Sequence, residues 1–324
     1  MNGAAQRGLV FFHYFEHDRL YRENLVFFLA TAYREDLDFV IVIAGHCAVA
    51  LPSLPNVRYL HTENKNNDFG GYVAALAELR DGLDDYGFFV FVNSSVRGPF
   101  VPAGHDGSWA TLFTDHFSAE VALVGSSIAI LSPESSVSRR LHARHGFPTP
   151  HSHVQTTAYA MTPAALKHLQ GIGFYDVHER LAKDDVICEY ELRLSQALLQ
   201  AGWNIKACLA RYNAVDYRTP HADINPTSGG GDPLYGGAYF GRTARPDELV
   251  FVKTNRRIMG AVQLPWVTLR ALRGVTHPAI LGWPEYRRLR RAYLLRLIFV
   301  PLTELKKSLD RIVRQTRKAL GLNR

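Results

Sequence analysis

Residues 63–76 read ENKNNDFGGYVAAL. A turn into a helix needs one glycine and one Asx residue, and this junction holds more than that: Asn64, Asn66, Asn67 and Asp68, then Gly70 and Gly71. Two readings are open. Asparagine and aspartate can hydrogen-bond a base or a ribose while glycine lets backbone approach a ligand. The same residues also make an Asx-rich turn leading into a helix N-cap. What surrounds the stretch bears on the choice. Before it, VRYLHTEN (57–64) reads as a strand, and after it GYVAALAELRDGL (71–83) reads as a helix.

Working outward, LVFFHYF (9–15), DFVIVIAGH (38–46), FFVFVNSSV (88–96) and VALVGSSIAIL (121–131) are further apolar runs. HDRLYRENLVFFLATA (17–32) has helical apolar spacing. Strands with little polar alternation, separated by helices, predict an α/β fold: a mostly parallel sheet flanked by helices on both faces. Ligands in such sheets sit beyond the carboxyl ends of the strands. ENKNNDFGG and NSSVRGP (93–99) both fall there. In the second half, HSHVQTTAYAM (151–161) reads as a strand, YELRLSQALLQAG (190–202) as a helix and WNIKACLARY (203–212) as a strand. The Gly/Pro-rich stretch 220–242 is longer than a plain connection, which marks a lid, a binding loop or a disordered segment.

The bulk numbers exclude several classes. With 47% hydrophobic and 21% charged residues the 324-residue chain is globular in composition. Cys47, Cys188 and Cys208 form no CxxC pair, so neither a disulfide framework nor a thiolate zinc site is indicated, and a cytoplasmic setting is expected. No window has the ~18 uninterrupted apolar residues of a membrane span. From Arg287 onward there are twelve Lys and Arg against two acids, a balance of +10 that leaves −3 for residues 1–286 out of the net +7. Leu302, Leu305, Leu309, Ile312, Thr316 and Leu320 share one helical face with the cations largely off it. That pattern predicts a basic amphipathic helix, and residues 285–324 are expected either to meet an anionic membrane surface, on its inner face, or to pack on the domain or mediate oligomers. The reading divides the chain into a domain over 1–260 and a helical basic region over 261–324. Cations confined to one tail, with no nucleic-acid-binding pattern, argue against a nucleic-acid partner.

Four places can carry chemistry. ENKNNDFGG is the first. In NSSVRGP, the small polar Asn93, Ser94 and Ser95 with Arg97 suit a phosphate or a sugar, or a capped turn. In DDVICEYEL (184–192), Asp184, Asp185, Glu189 and Glu191 crowd one helix start, which the helix dipole favours. Cys188 and Val186-Ile187 make the vicinity of Glu189 apolar, and a carboxylate so placed can serve as a base. His142, His145, His151 and His153 show no third metal ligand at a telling distance and suit a surface loop or an acceptor contact.

Taken in order, these pieces resemble GT-A-type glycosyltransferases, nearest the broad family 2 group and the rhamnan-synthesis and capsular-polysaccharide proteins. The succession runs from ENKNNDFGGYVAAL through NSS and LVGS to GIGFYD (171–176) and EYEL (189–192), over roughly residues 8–257. Each motif is loose; their order carries the likeness. The resemblance implies a GT-A-like domain that moves a sugar, with inversion, from a nucleotide-sugar donor to a glycan or lipid-linked glycan in cell-surface polysaccharide synthesis. It implies Glu189 as catalytic base with Asp185 in reserve. Asn64, Asp68, Gly70 and Gly71 would meet the donor nucleotide, and Asn93, Ser94, Ser95, Arg97, Lys253 and Arg256 the diphosphate and sugar. His153 and Gln155 would lie on the acceptor side, and the loop over 229–237 would close over the donor. The family's D-x-D is absent, since NSS stands in its place. A divalent Mn or Mg ion would then fall to Asp68 or another carboxylate, or Arg97 and a helix N-terminus would offset the diphosphate. The alternative is a non-catalytic glycan- or nucleotide-binding protein on a degenerate transferase fold.

Overall fold

A computed structural model describes residues 7–176, 179–256 and 258–299. The elements run β1 (Gly8–Tyr14), α1 (Arg19–Ala32), β2 (Leu37–Ala44), β3 (Val57–Thr62), α2 (Asn67–Glu78), β4 (Phe88–Asn93), β5 (Val96–Arg97), α3 (Thr111–Thr114), β6 (Val121–Gly125) and β7 (Ile128–Leu131). They continue α4 (Ser136–His145), β8 (His151–Val154), β9 (Ala158–Met161), α5 (Pro163–Gly171), α6 (Lys183–Val186), a π turn (Ile187–Leu192), α7 (Arg193–Gln200) and β10 (Asn204–Ala207). Last come α8 (Pro246–Leu249), β11 (Val252–Lys253), α9 (Gln263–Arg273), α10 (Pro278–Gly282) and a helix over 284–299, here α11.

The apolar runs build a seven-stranded sheet in the order β10-β6-β9-β4-β1-β2-β3. All pairs are parallel except those of β9, which runs antiparallel between β4 and β6. Phe11, Phe91 and Tyr159 from three neighbouring strands stack face to face at 4.9–5.0 Å. Parallel register brings the carboxyl ends of β1 to β4 to one edge, with His13 opposite Asn93. The mixed α/β architecture expected from the sequence is present.

Two expected strands are each broken in two. VALVGSS… divides at Ser126-Ser127, where Ser126 N–H donates to the Ala158 carbonyl and the Ser127 hydroxyl to Gln155. HSHVQTTAYAM divides at Gln155–Thr157. The freed pieces, β7 and β8, form a separate antiparallel hairpin.

The helices after residue 260 share the core of what precedes them. Val267, Leu269, Leu272, Trp283, Tyr286, Leu289 and Tyr293 belong to the main buried cluster. Arg97 is fully buried at this junction. It donates to Asn24 at 3.0 Å, to Thr268 at 3.3 Å and to Tyr293, and lies 3.5 Å from Glu23. Tyr293 and Arg296 also donate to Glu23. The expected amphipathic helix over 302–320 lies outside the described residues.

Candidate active site

The opening motif resolves residue by residue. Asn66 and Asn67 take left-handed backbone, φ +53° and +54°, which asparagine tolerates best among side-chain-bearing residues. Helix α2 therefore starts at Asn67, four residues earlier than its apolar pattern predicts. Asn66 does not cap it; its amide bonds the Glu179 carbonyl and the Leu181 N–H, latching a distant loop. A β-carbon on Gly70 would lie 1.9 Å from the Lys65 carbonyl oxygen, and one on Gly71 2.4 Å from the His13 ring. Both glycines were expected against the donor, and both are instead needed for close packing of α2. Asp68, in the first turn of α2, points to the rim. Asn64, just before it, has a buried Oδ1 without a partner.

At the end of β4, Asn93 donates to Asp68 at 3.0 Å and accepts from the N–H and hydroxyl of Ser95. Ser94 turns inward and its hydroxyl accepts from Phe15 N–H at 3.2 Å. Arg97, expected at the diphosphate, faces away from the rim into the core described above. Its neighbour Val96 pairs with Lys253 of β11, and this pairing sets Lys253 beside the carboxylates.

A cavity of about 210 Å³ opens at this edge. Its walls include His153, Gln155, Glu191, Asp232, Lys253 and Arg256. Four of these were expected at the site. Burial, with the nearby Asp68 charge adding, pushes the Glu191 carboxyl up to about 7. Burial likewise raises Asp68 to about 6 against the bond from Asn93. Lys253 is lowered by burial and by the charge of Arg256. His153 is held neutral by burial; with Nδ1 3.2 Å from the His151 carbonyl, its proton sits on Nδ1 and Nε2 is left as acceptor. Arg256 pairs with Asp232 and lies over the Tyr235 ring at 4.7 Å, so the Gly-rich loop is already pinned across one wall.

Glu189 is elsewhere. It bonds Arg144 and His145 of α4, each at 3.0 Å, and Asp185 bonds Arg140 and Arg144. Asp185, Glu189 and Arg193 stand four residues apart and form one charged stripe against α4. Glu191 shares its face with Ile187, which also lines the cavity. The π turn puts an extra residue into this stretch, which re-aims the side chains relative to an α-helix. Glu191, and not Glu189, is the acidic residue of this stretch that lines the cavity. The signal was present in the sequence: Glu191 stands four residues after an isoleucine, whereas Glu189 stands between an aspartate and an arginine at the same spacing.

Among the described residues, no three His, Cys, Asp or Glu side chains converge to hold a metal ion. Asp68 is engaged by Asn93, Asp232 is paired with Arg256, and Glu191, whose proton affinity is raised, shares the cavity wall with Lys253. This donor set does not fit a divalent ion, and no chemical step below passes through one.

No family model and no curated protein matches the chain. Solved structures similar to it include a galactosyltransferase, LgtC, in complex with donor and acceptor sugar analogs, at 13% identity and TM-score 0.34, covering 88% of this chain and 95% of that one. A mannosyltransferase from Pyrobaculum calidifontis in complex with GDP-Man and Mn2+ shows 14% identity and TM-score 0.34, covering 91% and 86%. A glycosyltransferase involved in the glycosylation of the major capsid of PBCV-1 shows 12% identity and TM-score 0.32, covering 57% and 75%. Likeness at this level fixes neither fold nor chemistry, and the functional reading rests on the chain's own side chains.

Proposed function

We propose that the chain transfers a sugar from a nucleotide-sugar donor to an acceptor hydroxyl with inversion. One observation carries this: Glu191, a carboxylate with raised proton affinity, lines a cavity with Lys253 and Arg256 beyond the carboxyl ends of the strands, and a second raised carboxylate, Asp68, is near enough for its charge to act on Glu191 and Lys253. Glu191 takes the acceptor proton as the acceptor oxygen bonds the anomeric carbon. The bond from that carbon to the donor's phosphate oxygen breaks, and its electron pair leaves with the nucleoside diphosphate. Lys253 and Arg256 offset the charge that develops there. Asn64 and Asp68 face the nucleoside, Asn93 and Ser95 the sugar, and His153 and Gln155 the acceptor. The sequence resemblance adds the acceptor class, a glycan or lipid-linked glycan of a cell-surface polysaccharide.

Thermal shift with a panel of nucleoside diphosphates, each with Mn²⁺ and with EDTA, tests this reading. A ligand that binds the folded state raises its midpoint by mass action. A shift with one nucleotide, kept in EDTA, is expected. No shift with any of them, on folded protein, would overturn the transferase reading in favour of a non-catalytic binding module.

A further inference from the structure

Helix α11 has one face committed to the fold. Tyr286 donates to the Leu272 carbonyl at 2.9 Å, and Tyr293 and Arg296 donate to Glu23. Leu289 and Tyr293 are buried. At 100° per residue the exposed positions cover the other half, an arc of about 180°. That half is graded along its length. Arg287, Arg288, Arg290 and Arg291 stand exposed in its early turns. Leu294, Leu295 and Ile298 follow, 50%, 44% and 53% exposed. Packing needs none of these side chains outside, and an exposed apolar patch beside like charges marks an interaction surface.

We infer that this outer face docks on an anionic lipid bilayer, with the arginines at the headgroups and Leu294, Leu295 and Ile298 in the upper acyl region. Charge selects this occupant. A second copy of the chain would set the same arginines against each other across a two-fold interface. The remaining stretch 300–324 brings seven more Lys and Arg against two acids, so covering the face with it would also bring like charges together. A bilayer rich in anionic lipid offers the complementary charge and an apolar interior together. No described helix is long and apolar enough to cross a membrane, and docking at the surface needs none. This docking is independent of the transfer chemistry, since it is read without turnover.

The test is flotation of the full chain with phosphatidylcholine vesicles, with and without phosphatidylserine, at low and high salt. The protein is expected to float only with the anionic vesicles at low salt. The pair Leu294→Asp with Ile298→Asp is expected to lower the bound fraction at least ~5-fold, with the melting midpoint and mass in solution unchanged. Four results would overturn the inference. They are no flotation, flotation unaffected by the pair, a dimer that the pair dissociates, or a midpoint lowered by several degrees, which would show the face covered by the chain itself.

Discussion

Asn93 donates a hydrogen bond to Asp68 across 3.0 Å, tying the end of β4 to the first turn of α2. The bond works against the burial that raises the Asp68 proton affinity. The carboxylate therefore stays mostly charged near neutral pH and keeps Glu191, further up at about 7, from ionising early. A base so placed accepts protons only in its ionised form. Turnover is expected to rise with pH and reach half its plateau near pH 7. A rate that is flat from pH 6 to 8 would remove Glu191 from the proton step.

The same displacement has a sign in stability. The folded state holds a proton on Glu191 more tightly than the unfolded chain does. Its contribution is fully present below about pH 4 and is lost as pH rises through about 7. Glu191→Gln removes that loss. The variant is expected to be more stable than the parent by about 1–2 kcal/mol at pH 8, discounted for its partial exposure, and nearly equal at pH 4.5. Melting midpoints at the two pH values check this.

Lys253 and Arg256 are assigned to the donor phosphates. A hydrogen bond to a charged group contributes about 1.5–3 kcal/mol, so Lys253→Ala should weaken nucleoside diphosphate binding ~10- to 100-fold. Arg256→Lys keeps the charge but loses the planar fork that holds Asp232. It should weaken donor binding and loosen the loop over 229–237, read as faster amide exchange there. Titration calorimetry with the nucleotide found by the panel measures the first effect.

Gly71 sits where a β-carbon would lie 2.4 Å from His13 and 2.9 Å from Val42. Gly71→Ala should cost about 1–3 kcal/mol by overpacking, and part of that should return when His13→Ala is added. Equal stability of parent and Gly71→Ala would return the glycine to a ligand-facing role. Denaturant unfolding decides.

Burial opposes the charge on Glu23, yet the bonds from Arg296 and Tyr293 outweigh it and hold the carboxyl down to about 2. Its stabilisation is present above about pH 4.5 and is lost as pH falls through about 2. Tyr293→Phe should cost ~1 kcal/mol at pH 7, and Arg97→Ala, which strips a fully buried charge from this cluster, about 3–5 kcal/mol. Urea midpoints at pH 7 and pH 3 test the size and the direction.

The strands of the sheet were legible because apolar runs such as FFVFV and VIVIA leave no other way to bury themselves. The breaks at Ser126-Ser127 and Gln155–Thr157 were not, since the bonds that end β6 and β8 come from residues distant in the chain. The antiparallel sense of β9 was hidden for the same reason: a fully buried strand shows no face pattern. In ENKNNDFGG the excess of Asx and Gly was visible, but its division among two left-handed residues, two packing glycines and one carboxylate bonded to Asn93 depends on His13, Lys65 and Asn93. Arg97 reads as a phosphate ligand beside NSS, and only the fold shows Tyr293 and Glu23 taking it. That Glu191 rather than Glu189 lines the cavity was within reach, because the Asp185–Glu189–Arg193 spacing already marks a charged outer stripe.

Release of nucleoside diphosphate from the donor that the binding panel identifies should be compared for parent, Glu191→Gln and Glu189→Gln at pH 7.5. General-base loss predicts a ~10²- to 10⁴-fold drop for Glu191→Gln with nucleotide affinity kept within a few-fold, and near-parental turnover for Glu189→Gln. Full turnover in Glu191→Gln together with collapse in Glu189→Gln would place the base on the α4 side of the π turn and contradict the site assembled around Asp68.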